Sequence, residues 1–516
     1  MEFNNVKGTS ASAPETEVLV VGAGPTGLTL ALDLRRRGVR VQVVERSARL
    51  FPGSRGKGLQ PRTLEVLDDL GVLGAIRAHG GPAPVGMIWR DGCRQGEYRM
   101  FEEREPTDAE PCPGPWLVPQ WRTQEILYAR LRELGGEVAF GTALTALAQD
   151  PDGVTATLTA TGAAPAQAAP VTGTVRARYV VAADGGRGTV RGLLGIAMAG
   201  ESVDPAPFLV ADLRIPSLDR LNWHLFPDGA AAPGGGARAS APGLGGSFLS
   251  LCPLPGTDEF QLTARRAAAQ GAPDAPAPGT SAAAVRQLVA AGTHLAASEV
   301  TEVVWASEFR VRTALADRFG EGRVFLAGDA AHLHSPAGGQ GLNTGIQDAY
   351  NLGWKLGQVV RGGAPRALLD TYEEERRPVA AGVLGLSTRI HRGEAERGAA
   401  TRQLGLGYRG GPLATGAAGA LTAGDRAPDG PLGGGRIFDA LRGPHFTLLA
   451  VGTDAVVPPA VEEAVRVRRL DAYAPYGKGL FLVRPDGYVG WAGEDPIGLT
   501  EWLVRVGQPY TRHNVT

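Results

Sequence analysis

Residues 16–47, TEVLVVGAGPTGLTLALDLRRRGVRVQVVERS, constrain the fold more than any other stretch of the chain. EVLVV is an apolar, β-branched run of the kind that forms a strand buried on both faces of a parallel sheet. Gly22-Ala23-Gly24-Pro25-Thr26-Gly27 follows at once. Leu28, Leu30, Leu32 and Leu34 then mark a predicted helix that ends near Gly38, and VRVQVVE predicts a second strand closing on Glu45. Strand, glycine turn, helix, strand and terminal acid, in that register, make a dinucleotide-binding βαβ unit. Gly22 permits the tight turn, Gly24 lets the backbone approach a pyrophosphate, and Gly27 lets the helix pack on the strand. The helix N-terminus at Pro25 and Thr26 faces the phosphates. Glu45 stands where a carboxylate accepts from a ribose 2′-OH; it would repel a 2′-phosphate, so the unit suits FAD or NAD better than NADP.

At 516 residues the chain is too long for one core and predicts two to four structural units. A formal net charge of −1 offers no footprint for nucleic acid or an anionic membrane surface. No apolar run approaches the roughly 20 residues that span a bilayer. The start, MEFNNVKGTSASAPETE, has no signal-peptide core and reads as a loose arm. Cys93, Cys112 and Cys252 stand far apart, in neither a metal-ligand nor a CxxC spacing. A cytoplasmic protein without structural disulfides or a metal site is expected.

Two further strand-turn-helix pieces follow. In ARYVVAADGGRGTVRGLLG a strand ends at Asp184-Gly185, and Arg187 and Arg191 follow on a short helix. In GRVFLAGDAAHLHSPAGGQGLNTGIQDAYNLGWKL a strand ends at Gly328-Asp329, and a glycine-rich turn leads into a helix predicted beyond Gly345. His332 and His334, beside that turn, read as packing or capping groups.

With three such motifs in this order, residues 15 to 385 resemble the single-component aromatic-ring flavoprotein hydroxylases, with the para-hydroxybenzoate hydroxylase fold. The stretch SRGKGLQPRTLEVLDDLGV and a C-terminal extension are similar to the subset acting on polyketides. The resemblance implies that Asp329 hydrogen-bonds the ribityl chain of FAD. It implies that residues 336–343 wrap the isoalloxazine ring, Pro336 leading and Gly338, Gly339, Gly341, Leu342 and Asn343 offering backbone groups. It places Glu45 at the adenosine ribose, Gln120 at the flavin, and Arg46 and Arg55 near the phosphates and the mobile ring. It sets Asp184 beside both FAD and the incoming nicotinamide. Arg55 and Pro336 are the residues expected to bear on catalysis. One departure is visible: Gly188 stands where the family usually has serine.

The expected fold class is α/β, in three parts. Residues 15–190 and 285–400 form the Rossmann-like FAD unit, and 191–284 form an antiparallel-sheet substrate unit that 80–110 joins. Trp89, Trp223, Phe226 and Phe248 are its candidate substrate contacts, with His224 and Phe260 beside them. DGAAAPGGGARASAPGLGG reads as a long loop. A Gly/Ala/Pro-rich linker, 401–424, leads to a thioredoxin-like tail, 425–516. That tail has no cysteine, so it carries no thiol chemistry and suits packing or dimer contacts.

The resemblance implies an NADPH- or NADH-consuming monooxygenase. It would hydroxylate a polycyclic phenol with molecular oxygen through a flavin C4a-hydroperoxide, as a monomer or homodimer, with no nucleic-acid or membrane partner. No second GxGxxG supplies a separate nicotinamide domain. Baeyer–Villiger oxygenation of a related polyketide, or a flavin scaffold that oxidises nothing, are the alternatives.

Overall fold

The apolar runs that read as buried strands lie side by side. In a computed structural model, which describes residues 16–161, 172–227, 248–265 and 279–508, Thr16–Val21 is buried at every position. It pairs in parallel with Val41–Glu45 on one side and Thr172–Ala182 on the other. Val324–Leu326 and Val138–Phe140 extend the sheet in parallel at either end. The helix Pro25–Arg36 starts with proline at its first position, where no N–H is needed. Thr26 at that end packs on the long helix Gly341–Arg361, which is buried along most of its length.

A second sheet of eight strands runs in the order His332–Leu333, Glu302–Ala316, Met198–Arg214, Glu259–Arg265, Phe248–Pro253, Asn222–Pro227, Val85–Arg90, Cys93–Tyr98. All its pairs are antiparallel except Asn222–Pro227 with Val85–Arg90. Glu302–Ala316 pairs along Met198–Arg214, so this sheet continues well beyond residue 284, where the substrate unit was expected to end. A partner this distant in sequence leaves no local mark on the strand.

Side chains alternate across a strand, so each face of this sheet has its own occupants. Leu209, Ala211, Leu213, Leu249, Leu251, Phe260 and Leu262 meet Val285 and Val289 of the helix Ala282–Gly292 in a separate core. Burying each of the large ones contributes roughly 1.5–3 kcal/mol. The opposite face carries Asp212, Gln261 and Trp223, which meet the loop 51–57.

In the tail, Thr447–Val451 runs parallel to Arg466–Leu470, with the helix Pro459–Ala464 between them, and antiparallel to Gly479–Val483. The hairpin to Val489–Gly493 turns at Asp486 and Gly487, whose φ is +78°. This is the thioredoxin-like order. Segment 401–424, expected as a linker, is packed: Leu404, Tyr408, Leu413 and Ala418 are buried. Tyr408 meets the Tyr488 ring at 4.5 Å.

A buried ionic network fastens the tail down. Arg484 donates to Glu375 at 2.6 and 2.9 Å and to Asp486 at 2.9 and 2.5 Å, and Lys355 donates to Glu375 at 2.8 Å. Trp354 and Asn351 donate to Asp486 at 3.1 and 3.2 Å. Burial alone would raise the Glu375 carboxyl, but Arg484 and Lys355 outweigh it and hold it at about 2.

Candidate functional site

The three motifs converge. Gly22 has φ +106°, and a Cβ there would strike the carbonyl of Ala183, just ahead of Asp184. A Cβ on Gly27 would strike the Gly22 carbonyl, so this glycine is demanded by helix-on-strand packing. A Cβ on Gly328 would lie 2.6 Å from Thr26 Oγ1, which sets the third motif against the first. Gly24 differs: a Cβ there would meet nothing within 4 Å. Protein packing leaves that space open in front of the uncapped helix N-terminus, and a phosphate fits it. Glu45 accepts from the N–H groups of Ala23 and Ser47 at 2.9 and 2.8 Å, which aims its carboxylate across the mouth of the same turn.

Asp329 is the sole exposed residue from Val324 to His332. Burial of its surroundings raises its carboxyl, and His332 and Arg55 pull it back. Arg55 lies within electrostatic reach of Asp329, Arg187 and Arg46. Burial lowers the Arg55 guanidinium, Asp329 opposes that, and the two like charges reinforce it. Asp184 has one carboxylate oxygen buried without a partner, while the other accepts from Val190 N at 3.1 Å. A Cβ on Gly188 would strike the Asp184 carboxylate, so glycine at this departure from the family pattern leaves the acid room to cap the following turn. Guanidiniums around an open glycine turn, with one orphaned acid, fit the pyrophosphate and polyol of a flavin dinucleotide.

The turn 336–340 is braced from below. Pro336–Gly338 is a short 3-10 turn in which Ser335 accepts from Ala337 N at 3.3 Å, and Gly339 has φ +62°. Pro336 and Gly339 are exposed while their neighbours are buried. The helix begins at Gly341, four residues before the point expected from sequence, so its first turn follows directly on Gly339. The Asn343 side chain is fully occupied: it accepts from Gln60 N at 2.8 Å and donates to Gly58 and Gly339 carbonyls at 2.9 and 2.8 Å. That leaves its backbone for the ligand. Gln120 accepts from Gly56 N at 3.0 Å, and Gly56 borders Leu342.

The sequence reading missed the support beneath Gly328. Asp348 accepts from Gly328 N at 3.1 Å, meets His332 Nε2 at 2.5 Å and accepts from Arg376 Nε at 2.8 Å. Burial would raise the Asp348 carboxyl, but His332 and Arg376 lower it. His334 Nε2 lies 2.9 Å from His332 Nδ1. The signal was present: Asp348 is an acid inside an otherwise buried helical run.

The aromatic candidates divide by face. Trp223 lies toward Lys57 on the face that meets the loop 51–57, and Phe248 packs near Phe208 on that same face. Trp89 and Phe226 do not join them. Trp89 stacks on Phe226 at 6.1 Å, bonds His224 at 3.0 Å and lies 4.3 Å from His294, in the core under Ala282–Gly292. Their strand alternates, so Phe226 and His224 point opposite to Trp223. Phe260 belongs to that core too. The free thiols are Cys93, exposed, and Cys112 and Cys252, buried.

Residues 15–387 match the family model of an FAD binding domain, and 421–509 match that of the aromatic-ring hydroxylase C-terminal domain. The chain belongs to this family of FAD-dependent aromatic-ring monooxygenases. It is similar to a flavin-dependent monooxygenase of Mycobacteroides abscessus, at 43% identity over 95% of this chain and 99% of the relative. It is also similar to the 12-dehydrotetracycline 5-monooxygenase/anhydrotetracycline 6-monooxygenase of Streptomyces rimosus, at 37% over 93% and 96%. Among solved structures, aklavinone-11 hydroxylase with FAD and aklavinone superposes with a TM-score of 0.79 at 28% identity, covering 97% of this chain and all of that one.

Proposed function

We propose that this chain uses NADPH or NADH and oxygen to hydroxylate a polycyclic phenol of polyketide type. The products are the hydroxylated ring, water and NAD(P)+. One observation carries the reading. The Gly328 turn belongs to both sheets: Val324–Leu326 just before it pairs in the first, and His332–Leu333 just after it pairs in the second. A ring held at this turn therefore meets the substrate-sheet face at close range, which is what oxygen transfer between two rigid planar partners requires. Bound FAD supplies electron transfer from the nicotinamide and activation of oxygen. Residues 336–343 position it, and the loop 51–57 with the sheet behind it excludes water. Among the described residues no helix is long and apolar enough to cross a membrane; a cytoplasmic site of action is part of the proposal. The tetracycline and aklavinone specificities of the relatives support a fused-ring substrate. NADPH oxidation should rise many-fold with a tetracyclic or angular phenol and barely with 4-hydroxybenzoate, with mass analysis showing one added oxygen. Better stimulation by simple benzoates would defeat the substrate reading.

Arg55 is the residue we assign to hydride delivery. Its guanidinium lies 4.8 Å from the Phe51 ring centroid and within electrostatic reach of Asp329. Arg55→Ala should keep FAD yet slow reduction by NADPH about tenfold, the loss of one charge-assisted contact. Stopped-flow traces of unchanged rate would refute the role.

A further inference from the structure

Two cations reach the second sheet from outside it, Lys57 from the loop 51–57 and Arg397 from the segment after Thr371–Arg392. Lys57 Nζ donates to Gln261 Oε1 and lies 4.4 Å from the Trp223 ring centroid. Arg397 donates through Nε, at 3.0 Å, and through Nη2 to the Ala337 carbonyl of the flavin-ring turn. Its guanidinium lies 5.4 Å from the Phe101 centroid. Neither makes an ion pair with another described residue. The groups that bear on Lys57 are Cys252, Arg397 and Asp212, and the one that bears on Arg397 is Tyr98. None is a ready counter-ion. Burial pushes the Cys252 thiol up to about 11. Asp212 is turned to Ser54 N at 2.8 Å, and burial raises its carboxyl to about 7. The Tyr98 hydroxyl and Trp223 Nε1 are buried without partners.

Two half-buried cations that bear on one another are unfavourable unless an anion joins them. We propose that Lys57 and Arg397 receive an oxyanion of the substrate, so that the chain binds an acidic phenol or enolised 1,3-diketone in its ionised form. The position of this site beside the ring turn rests on the monooxygenase reading above. Arg397 has its Nε/Nη2 edge occupied by Ala337, which leaves Nη1 and the second Nη2 hydrogen for a ligand. Lys57 offers a point charge. The rings of Trp223 and Phe101 flank the pair, as suits a charged oxygen carried on a fused ring. An ionised ring oxygen also enriches the ring carbons that take up the electrophilic oxygen atom.

Alizarin tests this on the flavin-loaded enzyme, because its ionised form absorbs beyond the flavin bands. Its dimethyl ether cannot ionise, and anthraquinone-2-carboxylate offers the other kind of anion. Bound alizarin should ionise at least about one pH unit below free dye, a tenfold preference for the anion. Lys57→Met and Arg397→Met should each weaken binding about tenfold and abolish the shift, and Lys57→Arg should keep most of both. The proposal is overturned if bound dye titrates like free dye, if the ether binds equally well, if the carboxylate is preferred, or if none of the three binds. Flavin content is read from the same samples: a wild-type protein without flavin would sink the monooxygenase reading while leaving the dye titration interpretable.

Discussion

Asp329→Ala is expected to purify folded and largely colourless. Asp329 is the one carboxylate that the third motif turns outward into the groove, while Gly328 and Ala330 on either side are buried. Removing it takes away a charge-assisted acceptor for the cofactor's polyol and leaves Arg55 without its opposing charge. Hydrogen bonds to charged groups contribute about 1.5–3 kcal/mol each, so flavin affinity should fall at least tenfold, and more where two hydroxyls share the acid. The measurement is the flavin absorbance per chain after gel filtration, beside a circular dichroism spectrum. A full flavin spectrum in folded Asp329→Ala protein would remove Asp329 from the site.

Arg484→Met should cost about 3–5 kcal/mol, the penalty for leaving buried carboxylates unpaired. Among the described residues Arg484 is the one tail cation that touches both Glu375 and Asp486, and all three side chains are buried. Without it Glu375 keeps Lys355, and Asp486 keeps only the Trp354 and Asn351 N–H groups. The melting temperature should fall by several degrees, and limited proteolysis should begin near 401–424. Arg484→Lys, which restores charge but not the fork, should recover part of the loss. An unchanged melting temperature in Arg484→Met would show that the network does not fasten the tail.

Much of the cofactor groove was legible because its chemistry is local. Gly22, Gly24 and Gly27 lie within six residues, and at Gly22 and Gly27 the packing itself forbids a side chain. Glu45 ends a strand, whereas Asp329 lies past the end of Val324–Leu326, in the turn Gly328–Ala330. The substrate side was less legible. Whether Trp89 and Phe226 face a ligand or a core depends on which side of the sheet Ala282–Gly292 covers, and nothing within Asn222–Pro227 records that. The extent of Glu302–Ala316 was hidden for the same reason, since its partner lies about a hundred residues earlier. Segment 401–424 reads as a linker by composition, yet Tyr408 reaches the Arg376 that supports Asp348. The expected loop DGAAAPGGGARASAPGLGG and most of the N-terminal arm lie outside the described residues.

The double membership of the Gly328 turn sets a rule for recombination among relatives. Residues 324–333 pass from one sheet to the other, with Val324–Leu326 registered on Thr172–Ala182 and His332–Leu333 on Glu302–Ala316. A chimaera cut at residue 284 would receive Met198–Arg214 from one parent and Glu302–Ala316 from the other, and the mismatch would run straight into the flavin turn. A transplant that carries Glu302–Ala316 together with Met198–Arg214, and keeps the host's turn, keeps that long pairing intact. In this architecture the unit of exchange is a strand pair rather than a contiguous stretch of chain.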